Sequence, residues 1–511
     1  FYSNRTHRNF RKYRSIMKLT GKQLLGNTWS QKGQRSFQGL QASNGQAIDQ
    51  AFYEATTEEV DEAMRLAQYA FAPYRKLSHS KRAEFLLAIS DEILALGDSL
   101  IHMACLETGL PEARITGERG RTTGQIKAFA DFIVGDWTRE IHDPALPDRQ
   151  PIAKPDLFQK NIPLGPAVVF GASNFPLAFS VAGGDTISAL AAGCPVVFKA
   201  HPAHPNTCEM VGYAIQQAAQ KTGMPEGVFS MVHATSNDIG GYVVQHPICQ
   251  ALSFTGSYRG GKALYDLAVR RPIPIPVYAE MGSINPVVLM PEKVKNNAES
   301  LADACSQSVC LGVGQFCTNP GLLLILKENE DFLETLAGKL DQQALGTFLT
   351  PGIKNAFTAG CEHLSKQTGV QTLTSKDIPS PSLFAASTHT ARKNASILEE
   401  VFGPSTLAIL ADDLEDLIAF ISELPGQLTA TIHGESHELQ NNPDLIDALS
   451  QKVGRILLNG FPTGVEVSKA MVHGGPFPST TDARSTSVGT QAIYRFTRPI
   501  CYQNFPSELI P

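Results

Sequence analysis

The sequence predicts an α/β protein in which two domains, each built on a parallel β-sheet, stack on each other and carry a small additional flap of strands. Three observations point to this architecture. The chain has 511 residues, 42% of them hydrophobic, and is therefore too long for one hydrophobic core. From about residue 161, short apolar runs alternate with helical segments. Proline- and glycine-rich segments at residues 271–276 and 474–478 border a second series of this kind.

The first series supplies the first domain. Residues 56–110 have the apolar spacing of two or more amphipathic helices. The alternation that follows predicts strands at residues 167–170, 195–198 and 228–232 and helices at residues 178–192 and 206–222. Strands and helices that alternate at this length form a parallel sheet through right-handed crossovers, and such sheets bind nucleotides at the carboxyl ends of their strands.

The second series, from about residue 285 to residue 474, predicts the second sheet. Residues 143–156 contain four prolines and little helical periodicity, whereas residues 493–500 alternate apolar and polar side chains. Both segments fit strands of a flap used for oligomerisation, and an ordinary surface loop with an edge strand is the alternative.

Charge and hydropathy argue against two classes of partner. The net charge is −6, and the six Lys or Arg within residues 1–18 leave −12 on the rest by subtraction, which argues against nucleic acid. Apolar runs are too short for a membrane span. Residues 1–16 precede Met17 and are interpreted as a leader or upstream sequence, with a mitochondrial presequence as the alternative.

The nine cysteines are odd in number and form no close C-x-x-C pair. Neither a zinc knuckle nor a disulfide framework fits this distribution, so we expect no metal site and a reducing, cytoplasmic compartment. A thiol is then available as a nucleophile.

The strongest local pattern is Gly312-Val-Gly-Gln-Phe-Cys-Thr-Asn-Pro-Gly321, in which residues that form tight turns surround Cys317. A nucleophilic thiol needs an exposed position and a backbone N–H to stabilise the oxyanion that it creates. A cysteine near glycines is otherwise an inert buried residue, so further residues have to support this interpretation.

Two further patterns supply such residues. In Tyr278-Ala-Glu-Met-Gly-Ser-Ile-Asn-Pro286, Glu280 lies between apolar residues at the end of a predicted strand, and desolvation would raise its pKa and suit it to take a proton from water. A structural glutamate in an ion pair is the alternative. After the strand at residues 167–170, Asn174 can direct its amide donor at a developing oxyanion, with a simple turn asparagine as the alternative.

Together these patterns resemble the aldehyde dehydrogenase superfamily along the chain from about Gly26 to Pro506. Six motifs occur in this sequence in the order and at the spacings of that family. They are Asn174, Lys199 in Val197-Phe-Lys-Ala-His201, Phe254-Thr-Gly-Ser257, Glu280, Cys317, and Glu400 in Glu399-Glu-Val-Phe-Gly-Pro404. Each motif alone has middling specificity, but six in register are very hard to obtain by chance. The chain is therefore identified as a member of this superfamily with its fold.

The resemblance implies that the chain oxidises an aldehyde to a carboxylic acid with NAD or NADP. Cys317 would attack the aldehyde, and Asn174 with the backbone N–H of Cys317 would stabilise the oxyanion. Hydride would leave for the nicotinamide, and Glu280 would activate the water that hydrolyses the remaining thioester.

The resemblance also implies a cofactor site. Lys199 would reach the adenosine ribose, Glu400 would hold the nicotinamide ribose, and Phe402 would pack by the nicotinamide ring. Three residues at the start of a helix would lie by the pyrophosphate: Thr255, Gly256 and Ser257.

Two positions depart from the family pattern. Ser283 replaces a glycine that many members carry after the acid, and could change how that loop turns. Pro202 stands where NAD-preferring relatives often carry a glutamate that would repel a 2′-phosphate. NADP is therefore allowed and, with Lys199 nearby, preferred, although the sequence places no arginine to clamp the phosphate.

Within the superfamily the chain looks like the 2,5-dioxovalerate (alpha-ketoglutaric semialdehyde) dehydrogenase branch in residues 199–205, 314–321, 471–478 and 498–506. An NADP-dependent fatty aldehyde dehydrogenase is similar in the same places. We therefore predict oxidation of 2,5-dioxovalerate to 2-oxoglutarate. A medium- or long-chain aliphatic aldehyde dehydrogenase is one alternative, and a catalytically silent binding protein is an alternative of another class.

His473 lies in the loop where the family closes its substrate tunnel, and would contact the substrate or the thiol unless it is a surface or structural histidine. The resemblance assigns residues 20–142 and 164–280 to the NAD(P)-binding domain, residues 281–484 to the catalytic domain, and residues 143–163 and 485–508 to oligomerisation strands. It implies a homodimer or homotetramer.

Overall fold

A computed structural model describes residues 18–135 and 137–510, so the interpretation of residues 1–16 as a leader lies outside the described residues. Within the described ranges the strands form two seven-stranded sheets, a three-stranded sheet and a two-stranded hairpin. None of the helices in these ranges is long and apolar enough to cross a membrane.

The strands are, in chain order, β1 (Gln23–Leu25), β2 (Thr28–Ser30), β3 (Ser36–Leu40), β4 (Ala47–Tyr53), β5 (Ile141–Asp143), β6 (Leu157–Pro163), β7 (Ala167–Phe170), β8 (Val196–Ala200), β9 (Phe229–His233), β10 (Ala251–Thr255), β11 (Val277–Glu280), β12 (Pro286–Leu289), β13 (Leu322–Leu326), β14 (Gln371–Thr372), β15 (Ser382–Ser387), β16 (Ser405–Ala411), β17 (Thr429–His433), β18 (Arg455–Leu458) and β19 (Thr497–Gln503).

The α-helices are α1 (Thr57–Tyr74), α2 (His79–Ala95), α3 (Gly97–Thr108), α4 (Glu112–Val134), α5 (Gly184–Ala192), α6 (Pro205–Lys221), α7 (Asn237–Gln245), α8 (Tyr258–Val269), α9 (Pro291–Cys310), α10 (Phe332–Gln342), α11 (Pro351–Ser365), α12 (Thr388–Lys393), α13 (Leu414–Glu423), α14 (Ser436–Asn441) and α15 (Pro443–Ser450). Short 3₁₀ turns lie at Leu311–Gly314, Lys327–Asn329, Ala395–Leu398, Thr490–Phe496 and Ser507–Leu509.

The first sheet has the strand order β11-β10-β7-β8-β9-β1-β2, in which β11 to β9 are parallel and β1 and β2 form an antiparallel edge. The apolar runs predicted as strands became β7, β8 and β9. All four residues of β7 are buried, as expected for a strand covered on both faces. Apolar side chains pack in separate clusters against this sheet.

The helix predicted at residues 178–192 begins only at Gly184, so the prediction was wrong for residues 178–183. In that segment the backbone N–H of Gly183 donates to Ser180 O at 2.8 Å, and that of Gly184 donates to Ala178 O at 3.2 Å. A Cβ on Gly183 would lie 2.7 Å from Ala178 O, so the tight turn depends on this glycine. Helix α5 starts where the turn ends.

The second sheet has the order β14-β15-β16-β13-β12-β17-β18 and is parallel except for β14. Its central strand β13 is buried throughout. Because both sheets are mainly parallel and covered by helices, the α/β fold class predicted from the sequence is confirmed.

The small sheet has the order β19-β6-β5 and is antiparallel, with Thr497 opposite Pro163 and Gln503 opposite Leu157. Of residues 493–500, interpreted as a strand, residues 497–500 lie in β19 and residues 493–496 lie in a 3₁₀ turn. Of residues 143–156 only Asp143 lies in one of the named strands, so the surface-loop alternative describes most of that segment. The use of this sheet in oligomerisation stays a prediction.

Candidate active site

Cys317 lies in the segment that connects α9 to β13, which we call the cysteine loop (residues 311–321). Three successive residues of this loop, Gly312, Val313 and Gly314, have left-handed φ values of +56°, +61° and +64°. A Cβ on Gly314 would lie 2.3 Å from the backbone of Gly403, so only glycine fits there. This turn leaves Cys317 partly accessible.

Asn285 fastens the cysteine loop to the second sheet. It is fully buried, has φ of +46°, and its Nδ2 donates to Cys317 O at 2.9 Å and to Asn319 O at 2.8 Å. These bonds fix the backbone on both sides of residue 318, so the position of the Cys317 backbone depends on Asn285.

Ser283 fits its position without unusual backbone geometry. Its Oγ lies 2.9 Å from Gln427 Oε1 and 2.9 Å from Asn285 Oδ1, and accepts the backbone N–H of Leu428 at 3.0 Å. Ser283, which replaces the glycine of many family members, therefore forms hydrogen bonds to the segment before β17 that a glycine side chain could not form.

Three reactive side chains meet at the end of β11. His473 Nε2 lies 3.5 Å from Cys317 Sγ and 2.8 Å from Glu280 Oε1. The segment after residue 478 runs along β11, and Met281 N–H donates to Ser479 O at 2.8 Å there. This pairing places His473, before the segment, and Ser487, after it, beside Glu280. His473 is buried, so it is not a surface histidine.

The expectation that the pKa of Glu280 is raised was wrong. Burial does act to raise the pKa of Glu280, but the hydrogen bonds and charge of His473 and the hydroxyl of Ser487, which donates to Oε2 at 2.5 Å, lower it below the ordinary value. Burial and the neighbouring Glu280 charge raise the pKa of the Cys317 thiol well above its ordinary value. The resting pair is therefore an ionised carboxylate beside a protonated thiol.

Asn174 reaches the cysteine loop from the first sheet. It follows β7, and its Nδ2 donates to Gln315 O at 3.0 Å. The amide donor thus lies beside the loop that carries Cys317, but its hydrogen bond goes to a backbone carbonyl.

Four predicted cofactor residues lie at the carboxyl end of the first sheet. Lys199, next to the last residue of β8, is partly buried, and burial lowers its pKa to about 8. Gly256 N–H donates to Glu280 O at 3.0 Å, and Ser257 caps α8 by accepting the backbone N–H of Gly260 at 3.2 Å. Thr255 stands opposite Glu280 in the sheet, so these residues and the reactive cluster share one sheet edge.

Glu400 and Phe402 line a cleft together with Ser283 and Phe316, next to the cysteine loop. A Cβ on Gly282 would lie 2.3 Å from Glu400 Oε2, so the glycine in Glu280-Met-Gly282 leaves the space that this carboxylate occupies. Both halves of the predicted cofactor site therefore lie next to residues 280–282, Thr255 and Gly256 beside the backbone of Glu280 and Glu400 beside Gly282.

The reactive cluster also offers donors suited to a metal ion. One ligand atom each of Glu280, Cys317 and His473 lie within 4.8 Å of one another. Thiolate, imidazole and carboxylate are ligands that Zn²⁺ accepts, so this cluster offers a thiophilic cation three ligand atoms.

The comparison with protein families decides the assignment, because the model of the aldehyde dehydrogenase family matches residues 29–498. The chain belongs to the aldehyde dehydrogenase family. The resemblance seen in the sequence is therefore confirmed, and the chain is an oxidoreductase rather than a silent binding protein.

Two relatives of this aldehyde dehydrogenase are similar over nearly the whole chain. Alpha-ketoglutaric semialdehyde dehydrogenase 2 of Azospirillum brasilense is 47% identical and the alignment covers 97% of this chain and 96% of the relative. Alpha-ketoglutaric semialdehyde dehydrogenase of Acinetobacter baylyi is 43% identical, with 96% and 95% covered.

Among solved structures, a double mutant of betaine aldehyde dehydrogenase from Staphylococcus aureus in complex with NAD+ matches with a TM-score of 0.81 at 18% identity, covering 96% of this chain and 98% of that chain. This likeness confirms the aldehyde dehydrogenase fold. Binding of NAD or NADP follows at the level of the family, and the preference between them is not decided by it.

Sequence reasoning missed two residues of the site. Ser487 carries no motif that would single it out, because its role depends on a contact with Glu280 across 207 residues of sequence. Asn285 stands inside the quoted Glu280 motif, where an asparagine before a proline indicates only a turn. The roles of the predicted site residues stay predictions.

Proposed function

We propose that this aldehyde dehydrogenase oxidises 2,5-dioxovalerate, the semialdehyde of 2-oxoglutarate, to 2-oxoglutarate. The observation that carries the proposal is the identity of 43–47%, over at least 95% of each chain, to two proteins named alpha-ketoglutaric semialdehyde dehydrogenase. The contact of a thiol, an imidazole and a carboxylate at the end of β11 supports covalent catalysis at this site.

In the proposed first step, Cys317 sulfur forms a bond to the aldehyde carbon and the carbonyl electron pair moves to oxygen. Glu280, whose lowered pKa keeps it ionised beside the thiol, takes the thiol proton and releases it to solvent before the last step. The resulting oxyanion would accept hydrogen bonds from the Cys317 backbone N–H and from Asn174. Rotation of the Asn174 amide away from Gln315 O, now 3.0 Å from its Nδ2, would free this donor.

In the proposed last step, Glu280 takes a proton from water, the water oxygen adds to the thioester carbon, and the carbon–sulfur bond breaks. The proton held by Glu280 passes to the Cys317 sulfur and regenerates the thiol, and the carboxylic acid releases its own proton to solvent and leaves as a carboxylate. His473 and Ser487 hold the two carboxylate oxygens of Glu280 and so set its orientation toward the thioester.

The residues that would hold NAD(P) fit such a group. The first turn of α8 presents backbone N–H groups next to the exposed Gly256 and Ser257, which suits a pyrophosphate, and Glu400 with Phe402 would face the nicotinamide end. When bound, NAD(P)+ accepts the hydride from the former aldehyde carbon. We propose NADP as the preferred form, because Lys199 attracts a 2′-phosphate and Pro202 does not repel it.

Oxidation of medium- or long-chain aliphatic aldehydes is the second candidate. Aromatic rings beside the nucleophile favour it: Phe175 lies 5.4 Å from Phe316 and 5.2 Å from Phe179 between ring centroids. An apolar tunnel binds an alkyl chain through burial of its surface.

We also propose the domain division given by the resemblance: residues 20–142 and 164–280 for NAD(P), residues 281–484 for catalysis, and residues 143–163 and 485–508 for oligomerisation. The exposed antiparallel sheet of β5, β6 and β19 supports a homodimer or homotetramer, which light scattering of purified protein would test. Nine cysteines without a disulfide support a reducing, cytoplasmic compartment.

Initial rates of NADPH and NADH formation with 2,5-dioxovalerate, hexanal and dodecanal test the function. We expect the highest kcat/KM with 2,5-dioxovalerate and NADP, and no activity in Cys317→Ala. Higher kcat/KM for dodecanal by about tenfold or more would replace the proposal with the second candidate. An active Cys317→Ala variant would overturn the assignment of the nucleophile.

A further inference from the structure

Two arginines hold one loop near the reactive cluster. Arg121 lies in α4, and its Nη2 donates to Val465 O at 3.2 Å. Arg455 begins β18, and its Nη1 and Nη2 donate to Gly464 O and Pro462 O at 2.8 Å each. The two guanidinium groups thus approach residues 462–465 from the helices of the first sheet and from the second sheet.

Neither guanidinium group forms a salt bridge with an acid in the part of the chain that the structure describes. Arg121 Nη1 and Arg455 Nε are buried and have no hydrogen-bond partner. Glu118, one turn before Arg121 on α4, is already engaged, because it pairs with Arg114 at 2.7 Å and accepts the backbone N–H groups of Leu177 and Ala178 at 2.9 Å each. Buried donors without partners are costly, and an anionic ligand would satisfy them.

A chain of contacts leads from Arg121 to the nucleophile. The Arg121 guanidinium lies 5.2 Å from the ring centroid of Phe179, and that ring lies 6.1 Å from the ring of His473, which contacts Cys317. Burial and the Glu280 charge raise the pKa of Cys317, and the Arg121 charge opposes this rise, as expected for a cation that acts on the thiol through space.

We propose that Arg121 determines substrate specificity by binding the carboxylate of the substrate through Nη1 while the aldehyde carbon lies at Cys317 Sγ. The inference rests on the proposed function, because 2,5-dioxovalerate carries its carboxylate at the end of the chain opposite to the aldehyde. Arg455 adds positive potential at the same loop. In this arrangement the aromatic rings of Phe175 and Phe179 line the space for the carbon atoms between the aldehyde and the carboxylate of the substrate.

The test compares Arg121→Met with wild type on 2,5-dioxovalerate and on its methyl ester, which lacks the negative charge and carries one additional methyl group. We expect kcat/KM for the acid to fall about 30-fold or more and kcat/KM for the ester to change by less than about threefold. Lys127→Met on the exposed face of the same helix is the matched control and should change neither value. Glutarate should protect Cys317 from iodoacetamide in wild type and not in Arg121→Met.

The outcomes separate the two proposals. Wild type that oxidises the ester faster than the acid would overturn the proposed function. Wild type that prefers the acid, with a folded Arg121→Met variant that keeps this preference, would overturn the role of Arg121 alone. If Arg121→Met does not fold, Arg121→Lys decides, because its shorter, compact ammonium lacks the planar fork that would hold Val465 O through Nη2 and a carboxylate through Nη1. Equal effects of Arg121→Lys on acid and ester would also overturn the inference.

Discussion

Ser487→Ala tests how the site controls the protonation of Glu280. The Ser487 hydroxyl donates to Glu280 Oε2 at 2.5 Å in a buried position, and this bond favours the ionised carboxylate. In the variant, burial still raises the pKa of Glu280 but one of the groups that lower it is gone. The carboxylate therefore takes up a proton at higher pH than in wild type.

The size of the effect follows from the bond that is lost. A hydrogen bond to a charged group contributes roughly 1.5–3 kcal/mol, and 1.36 kcal/mol corresponds to a tenfold change in a protonation equilibrium. The acid limb of acyl-enzyme hydrolysis should therefore move up by about 1 to 2 pH units. Above this limb the hydrolysis rate should stay within about threefold of wild type, because Glu280 is then ionised in both proteins.

The assay uses p-nitrophenyl acetate, an activated ester that acylates a reactive thiol without a cofactor. A burst of p-nitrophenolate reports acylation and the following steady rate reports hydrolysis, measured between about pH 5 and pH 9. Ser485→Ala is the control, since the Ser485 hydroxyl donates to Asp482 O at 3.2 Å and not to Glu280. An acid limb that stays in place, or moves to lower pH, in Ser487→Ala would refute the reasoning.

Three further changes have expected results. In Gly282→Ala the new Cβ would lie 2.3 Å from Glu400 Oε2, so the KM for NADP should rise about tenfold while the KM for the aldehyde changes less, measured by initial rates. Asn285→Ala removes the donor to Cys317 O and should lower the free energy of unfolding by about 2–4 kcal/mol in urea titrations. Zn²⁺ should inhibit reversibly, with recovery on chelation, and inhibit His473→Ala less strongly.

Each of these expectations has a contradicting result. An unchanged cofactor KM in Gly282→Ala would mean that Glu400 does not depend on the space beside this glycine. Full stability of Asn285→Ala would mean that the cysteine loop is held by other contacts. Equal inhibition of wild type and His473→Ala by Zn²⁺ would place the bound ion elsewhere.

The sequence predicted strands β7, β8 and β9 of the first sheet because buried parallel strands are continuous apolar runs. Residues 167–170 and 322–326 are buried at every position, so their composition alone marks them as strands. Helix α4 was missed, since Gly117, Gly120 and Gly124 lower its helix propensity. A Cβ at each of these glycines would meet open space, so packing does not explain them.

The sequence singled out the three side chains that meet at the end of β11, but it did not predict their electrostatics. Cys317 and Glu280 were recognisable because each lies in a motif of a few neighbouring residues that resembles the family pattern. The lowered pKa of Glu280 depends on His473 and Ser487, which lie 193 and 207 residues further along the chain. Local sequence shows the apolar neighbours that raise the pKa of a carboxylate and not the distant donors that lower it.

The most direct test of the account is the chemical state of Cys317 during turnover. Enzyme mixed with 2,5-dioxovalerate and NADP is quenched in acid within the first turnover, digested, and examined by mass spectrometry. We expect an acyl adduct on the peptide that contains Cys317, in proportion to the NADPH formed, and no adduct or NADPH in Cys317→Ala. NADPH formation without an adduct on Cys317, or an adduct on another of the nine cysteines, would contradict the account.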